Sequence, residues 1–273
     1  MKIVMLIAGV LLTVPMLTLT PAVLAEEAGG STDEDLAKKL ANPVASLISV
    51  PLQYNYDQNY GPNDEGSRSV LNVQPVIPFS LNKDWNLITR TIIPLVSQQD
   101  LPVEGQDESG LGDVMQSFFF SPKQPVHGWI LAAGPVALYP TASEDTLGGK
   151  KWGVGPTGLV MRQQGPWTYG LLANHLWSVA GDDDRPDVSA TFLQPFVSYI
   201  TKTKTTFGLN TESSYDWENS QWAIPVNATV AQLLKVGPQI FQVTLGVRYW
   251  VESPENGPEG WGARAVVTFL FPK

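Results

Sequence analysis

The sequence predicts an all-β chain, folded as a single antiparallel up-and-down transmembrane β-barrel of about twelve strands (roughly ten to fourteen), with both termini periplasmic. Three observations predict it. From Ala45 onward the hydrophobic pattern has a period of two, the signature of strands with one apolar face. The connections alternate between long acidic segments and shorter lysine-bearing turns, as expected when all the loops of one kind gather at one end of a barrel. All nine tryptophans fall within a few residues of a proposed strand end, where an indole can bury its ring and keep its N–H wet.

The chain begins Met1-Lys2, continues with an apolar run from Ile3 to Thr20, and reaches small residues at Val23-Leu24-Ala25. This is the pattern of a secretory signal peptide cut after Ala25, and the acidic Glu26-Glu27 beyond it favours cleavage over retention as an anchor. What remains is 248 residues, 273 minus 25, without a second apolar run long enough for a transmembrane helix. The formal charge of −9 becomes −10 when Lys2 leaves, which argues against a nucleic-acid partner. With no cysteine, an exported chain must hold together without disulfides.

Residues 26–43 are polar. Ser31 or Thr32 can cap a short helix with Asp33, Glu34 and Asp35 in its first turn and Lys38 and Lys39 near its end, stopped at Asn42-Pro43. The segment reads as a periplasmic tail, with a helix tucked into the barrel as the alternative. The barrel itself occupies 44–273. Alternation is clean at its two ends: Ile48, Val50, Leu52, Tyr54 and Tyr56 against Ser49, Gln53, Asn55 and Asp57, and Phe241, Val243, Leu245, Val247 and Tyr249 against Gln242, Thr244, Gly246 and Arg248. The final strand, Trp261 to Phe271, has aromatics at both ends and is expected to close the barrel against the strand of Tyr54 and Tyr56. Between residues 85 and 200 the runs are β-like but their phase is ambiguous. Pro51, Pro75, Pro78, Pro94, Pro135, Pro156, Pro195 and Pro225 lie within proposed strands and must mark bulges, bends or breaks, because proline removes a ladder donor and a closed barrel has no free edge.

If the apolar face meets lipid, charge must point inward, since an Arg or Lys on the lipid face near the midplane costs roughly 2–4 kcal/mol. Arg90, Asp113, Glu212, Arg248 and Arg264 are therefore expected to line the pore, with Asp216 inward near the extracellular rim, forming either an ion-pair ladder that fills the interior or a selective constriction. Trp85, Trp129, Trp152, Trp167, Trp177, Trp217, Trp222, Trp250 and Trp261 are expected to form the aromatic girdles. No pattern requires a cofactor or a metal. Asp182-Asp183-Asp184 with Asp187 reads as a solvated loop rather than a cation site, and Gly153-x-Gly155-x-x-Gly158 lacks the helix a dinucleotide motif requires. His175 shares a face with Trp167, Tyr169, Leu171, Ala173 and Trp177 and so looks lipid-directed. A barrel lipid hydrolase would place a histidine there beside a serine of the next strand, but no signature spacing supports it, and the chain is read as a non-enzyme.

Several short stretches resemble those of a group of Gram-negative outer-membrane "putative transporter" barrels related to the MetA-pathway phenol-degradation channel family. They are Asn42-Pro43-Val44-Ala45-Ser46-Leu47-Ile48, Thr89-Arg90-Thr91, Gly110-Leu111-Gly112-Asp113, Leu138-Tyr139-Pro140-Thr141-Ala142, Trp152-Gly153-Val154-Gly155-Pro156 and the ending Phe269-Leu270-Phe271-Pro272-Lys273. The resemblance implies a porin-like barrel in the outer membrane and passage of small solutes, among them hydrophobic or aromatic ones. Outer-membrane lipid, lipopolysaccharide, the barrel-assembly machinery and the solute are then the expected partners. The alternatives are a closed structural or adhesive barrel, a lipid hydrolase using His175, and a secreted soluble β-sandwich.

Overall fold

The computed structural model describes residues 33–102 and 104–271; the proposed signal peptide lies outside them. One helix, α1 (Asp33–Leu40), precedes fifteen β-segments: β1 (Ile48–Tyr60), β2 (Gly66–Val73), β3 (Val76–Ser80), β4 (Trp85–Gln99), β5 (Glu108–Leu111), β6 (Val114–Pro122), β7 (Ile130–Tyr139), β8 (Lys151–Gln164), β9 (Trp167–Gly181), β10 (Ser189–Ile200), β11 (Thr205–Thr211), β12 (Ser213–Asp216), β13 (Gln221–Val236), β14 (Gln239–Glu252) and β15 (Gly260–Phe271). Three pairs, β2 with β3, β5 with β6 and β11 with β12, are halves of one interrupted stave, so the barrel has twelve staves. Each pairs antiparallel with its sequence neighbours, and β15 closes on β1 with Tyr54 opposite Ala265 and Tyr56 opposite Ala263. No helix among the described residues is long and apolar enough to cross a membrane.

Each interruption sits beside a proline. The chain breaks at Gln74-Pro75, where the Gln74 amide donates to the Pro51 carbonyl; at Gly112-Asp113, where Gly112 donates to Pro94; and at Glu212, whose amide donates to Pro225. A proline cannot return the second hydrogen bond of the pair, so the ladder lapses for a residue or two on the facing stave. The remaining prolines do not split a stave; Pro135 and Pro156 face each other across β7 and β8, and the pairing lapses only on their far sides, between β7 and β6 at Gly134-Pro135 and between β8 and β9 at Gly155-Pro156.

The hairpins at one end, over residues 81–84, 123–129, 165–166, 201–204 and 237–238, are mostly short, and the connections at the other, over 61–65, 100–107, 140–150, 182–188, 217–220 and 253–259, are mostly longer. Two of the turns are Gly-Pro, with Gly165 and Gly237 both at φ +57, the sign a two-residue hairpin needs at its first position. Tryptophans mark both ends. Trp85, Trp129 and Trp167 lie at the turn end; Trp152, Trp177, Trp217, Trp222 and Trp261 lie at the loop end. Except for the half-buried Trp129, which stacks edge-on to Tyr169, these indoles are exposed on the outer wall beside exposed Leu95, Leu171, Phe207, Leu245 and Val247. An apolar belt of this kind would be untenable in water and is what lipid requires.

Candidate functional site

The strongest candidate site is the barrel interior, which is divided into two walls of opposite character. The polar wall is carried by β1, β2, β14 and β15 with the staves flanking them. Asn55 and Asp57 of β1, Arg248 of β14 and Arg264 of β15 are each under a tenth exposed. Arg264 forks onto Glu212, with Nη1 donating to Oε1 at 2.9 Å and Nη2 to Oε2 at 2.6 Å, while its Nε donates to Asn55 Oδ1 at 2.7 Å. Arg248 Nη1 donates to Asp57 Oδ2 at 3.0 Å, and its Nη2 lies 3.6 Å from Glu212 Oε2. Trp250 Nε1 donates to the other Asp57 oxygen at 2.8 Å, and its ring stacks on the Arg248 guanidinium at 4.9 Å. Two-pronged charge-assisted bonds of this kind hold geometry as well as energy.

Glu212 reaches this network because its stave is broken there. Gln74 and Asp113 occupy the other two breaks, and all three use their side chains to tie separate elements together. Gln74 Oε1 accepts from Arg90 Nη2 at 2.8 Å. Asp113 accepts from the amides of Ala142 at 3.1 Å and Gly149 at 2.7 Å, pinning the loop 140–150 against the inner face of Gly110 and Gly112. The loop is held further by Thr146, which accepts from the buried Gln98, and by Arg185, which donates to the Asp145 and Gly148 carbonyls. At its margin the Lys150 ammonium beside Asp145, and Lys151 beside Asp187, hold those carboxyls below the usual carboxylate range.

The opposite wall carries an apolar cluster. Ile88, Phe119, Ala132, Leu159, Met161 and Leu172 of β4 and β6 to β9 point inward, with Phe192 and Phe196 of β10 packed beside them and buried Ser117, Ser121, Thr157 and Asn174 between. This corrects the expectation that the non-apolar face alone lines the lumen: along these staves large apolar side chains point inward as well as outward. The turn end is occupied by α1 and the segment after it. Leu36 is buried against Ala45, Leu47 and Leu270, with Leu233 and Ile240 alongside, and Val44 joins the apolar wall. Gln163 Nε2 donates to the Lys38 carbonyl at 2.7 Å, and Lys204 pairs with Glu34 at 2.9 Å. The lysines Lys204 and Lys38, each hydrogen-bonded to Glu34, hold its carboxyl well down, at about 2. The segment expected to be a trailing tail is thus folded back inside, because Leu36, Ala37 and Leu40 give the helix one apolar side that only the barrel interior can bury.

Arg90, Glu212, Arg248 and Arg264 all project inward and form one electrostatic group, Arg90 lying within Coulombic reach of Glu212. Asp113 does not join them; it holds the loop. Asp216 caps its own turn, accepting from the amides of Glu218 and Asn219. Trp250 is corrected from girdle to interior. It sits two residues after Arg248 and therefore on the same face, and proximity to a strand end does not determine which face a side chain takes. Asp57, Asn55 and Gln74 belong to the interior group although the candidate residues omitted them, and their position on the polar face of the alternation was the available signal. His175 faces outward near the loop end, with Nδ1 2.7 Å from Thr191 Oγ1 and its ring stacked on Trp177 at 4.1 Å. The neighbouring strand offers a threonine rather than a serine. The Trp217 indole donates to that same hydroxyl at 2.8 Å. No described side chain is hydrogen-bonded to His175 Nε2 to orient the ring, so the third member of a nucleophilic triad is not assembled.

No protein-family model matches the sequence, and no curated protein matches it. In fold the chain is similar to an outer-membrane channel from Pseudomonas putida F1, with a TM-score of 0.66 at 15% identity, over 83% of this chain and 96% of that one. It is also similar to the NanC porin, with a TM-score of 0.50 at 11% identity, over 83% of this chain and 100% of that one. The outer membrane phospholipase A from Escherichia coli superposes with a TM-score of 0.48 at 12% identity, over 87% and 99% of the two chains. The first two similarities establish the outer-membrane β-barrel fold.

Proposed function

We propose that this chain is an outer-membrane channel through which small solutes, including those with hydrophobic or aromatic bodies, pass without energy input. The observation that carries the reading is the divided interior: a closed twelve-stave barrel with an apolar cluster on one wall facing an arginine-rich wall. A barrel that served only as a scaffold has no need to set apolar and cationic surfaces across a shared space, whereas a route for amphipathic molecules does. Twelve staves fall between the eight at which side chains fill a barrel and the sixteen or so of open porins, so the lumen is narrow and its wall chemistry matters. On this reading the short turns and α1 face the periplasm, the long loops face outward, and outer-membrane lipid and lipopolysaccharide surround the aromatic belts. Export by a cleaved signal and insertion by the barrel-assembly machinery follow from the same reading. The test is liposome swelling. Proteoliposomes should swell in isosmotic solutions of small amides and carboxylates faster than protein-free vesicles do. Equal rates, with the protein shown to be folded by heat-modifiable gel mobility, would refute transport and leave the closed structural barrel.

A further inference from the structure

We infer that the floor of the lumen, between α1 and the Arg90 side chain, is a binding site for a small monocarboxylate with a compact apolar body. The inference deepens the channel reading, and rests on it only for how the ligand arrives.

A cavity of about 160 Å³ lies there, below the Glu212 network. Arg90 opens onto it from β4, Gln74 and Gln242 present amides, and Gln194 faces them from the far wall. Lys39 and Leu40 of α1 form its floor. Arg90 differs from the other interior arginines in what it holds. Arg264 and Arg248 each bond a carboxylate directly, whereas Arg90 has its hydrogen bond to the neutral Gln74 and, among the described residues, no carboxylate within ion-pair distance. A guanidinium carries five donors in a planar fork. The donors not used on Gln74 face a space taken out of bulk water, where a charge that Glu212 offsets only at a distance is costly. A ligand carboxylate there would accept from Arg90 the kind of charge-assisted bonds that Glu212 accepts from Arg264. Lys39 adds a second cation at the floor, and among the described residues no acidic side chain lines the cavity.

The body of the ligand is set by what adjoins this charge. Leu40, Leu47 and Val76 line the same cavity. A second cavity of about 230 Å³ shares Leu40, Pro43, Gln194 and Gln242 with the first and adds Phe196 and Ala231. A cavity of roughly 150 Å³ is large enough to admit a benzene ring, so one carboxylate on one ring matches both the size and the polarity of the space. A phosphate, which carries more charge and no apolar body, would leave Leu40 and Phe196 without contact.

The probe is benzoate, compared with its neutral isostere benzamide and with inorganic phosphate, by calorimetric titration of the purified full chain in detergent. Saturable benzoate binding is expected, with benzamide and phosphate each weaker by roughly tenfold or more. Arg90→Gln should weaken benzoate by a similar factor while leaving benzamide unchanged, and Arg90→Lys should recover part of the loss. Arg68→Gln, opposite Asp57 and outside the cavity lining, should change nothing. Should Arg90→Gln fail to fold by gel mobility, Val76→Trp, which fills the cavity, serves instead and should abolish binding. Benzamide or phosphate binding as well as benzoate, or benzoate binding indifferent to Arg90→Gln and to Val76→Trp, would overturn the site. Micellar binding does not require conduction. A chain that binds benzoate but fails to swell liposomes would retain the site and lose the channel; one that swells liposomes without binding benzoate would lose only the site.

Discussion

The two walls of the lumen are built from the same alternating strands, yet they solve burial differently. On the staves around β1, β14 and β15 the inward positions are Asn, Asp, Gln and Arg, and their satisfaction is mutual: Arg264 with Glu212 and Asn55, Arg248 with Asp57, and Asp57 with Trp250. On β6 to β9 the inward positions hold a cluster of Phe119, Ala132, Leu159, Met161 and Leu172, which need only one another, set among small polar residues such as Ser121 and Thr157 that bond neighbouring backbone. The polar wall gains geometric definition at the cost of desolvated charge. The apolar wall gains surface burial and tolerates imprecise contacts. A lumen with one of each can hold an amphipathic molecule in a fixed orientation, and neither wall alone would do so.

The sharpest way to break the contrast is to remove the shared carboxylate. Glu212→Leu leaves Arg264 and Arg248 facing each other without it, and stripping one partner from a buried pair costs about 3–5 kcal/mol. The urea midpoint of the folded barrel in lipid should fall accordingly. If it did not move, the polar wall would not be a mutually dependent network. On the apolar wall, Phe119→Ala should cost about 3 kcal/mol by the same measurement. Its effect should add to that of an Arg248 substitution, because the two walls share no side-chain partner; strong non-additivity would show them coupled.

A smaller effect is expected where a break in the polar pattern secures a loop. Asp113→Ala leaves the Ala142 and Gly149 amides without their acceptor, at about 1–3 kcal/mol. Limited proteolysis of intact cells or vesicles should then cut within 140–150 faster than in the parent, and an unchanged rate would mean that Arg185 and Gln98 suffice to hold the loop.

The smallest effect concerns the plug. Glu34 has a carboxyl pKa lowered from 4.5 to about 2 in the folded chain, by its hydrogen bonds to Lys204 and Lys38. A depressed acid contributes stability that is complete above its unfolded value and lost as pH falls through the folded one. Helix docking, followed by a fluorophore on α1, should therefore be constant above about pH 5 and weaken progressively below about pH 4.5. Because Glu34 is solvent-exposed the change should be slight and reduced by salt. A loosening as pH rises through neutrality would contradict the assignment.

Much of this was legible in residue order, and the parts that were not have physical causes. Strand direction, stave number, loop sorting and the closure of β15 on β1 follow from period-two patterning and turn chemistry, which are local. The inward position of Arg248 and Arg264 follows from alternation and the cost of charge in lipid. Alternation gives no phase where both faces are apolar, and Leu159 and Met161 face inward from a strand that presents Val154 and Val160 outward, so the apolar wall could not be read there. Trp250 departs from the girdle expectation because nearness to a strand end carries no parity, and its parity is that of Arg248. The docking of α1 depends on contacts with Leu270, Leu233 and Ile240, some two hundred residues away, to which no local signal points. The prolines marked where the ladder would yield, but not that Gln74, Asp113 and Glu212 would occupy those places and carry the ties across the interior.

The central claim is that the divided lumen is a route, and conductance in planar bilayers tests it most directly. At mid-height Arg90, Arg248 and Arg264 face the carboxylates Asp57 and Glu212, an excess of one positive charge, and Arg68 and Glu108, on the same inner face in register with Asp57 and Gln98, offset each other. The account predicts discrete conductance steps in potassium chloride, with a reversal potential in a salt gradient that favours chloride, and Arg90→Gln should reduce that preference. A folded, heat-modifiable preparation that gives no steps at any voltage, or steps that favour potassium, would contradict it.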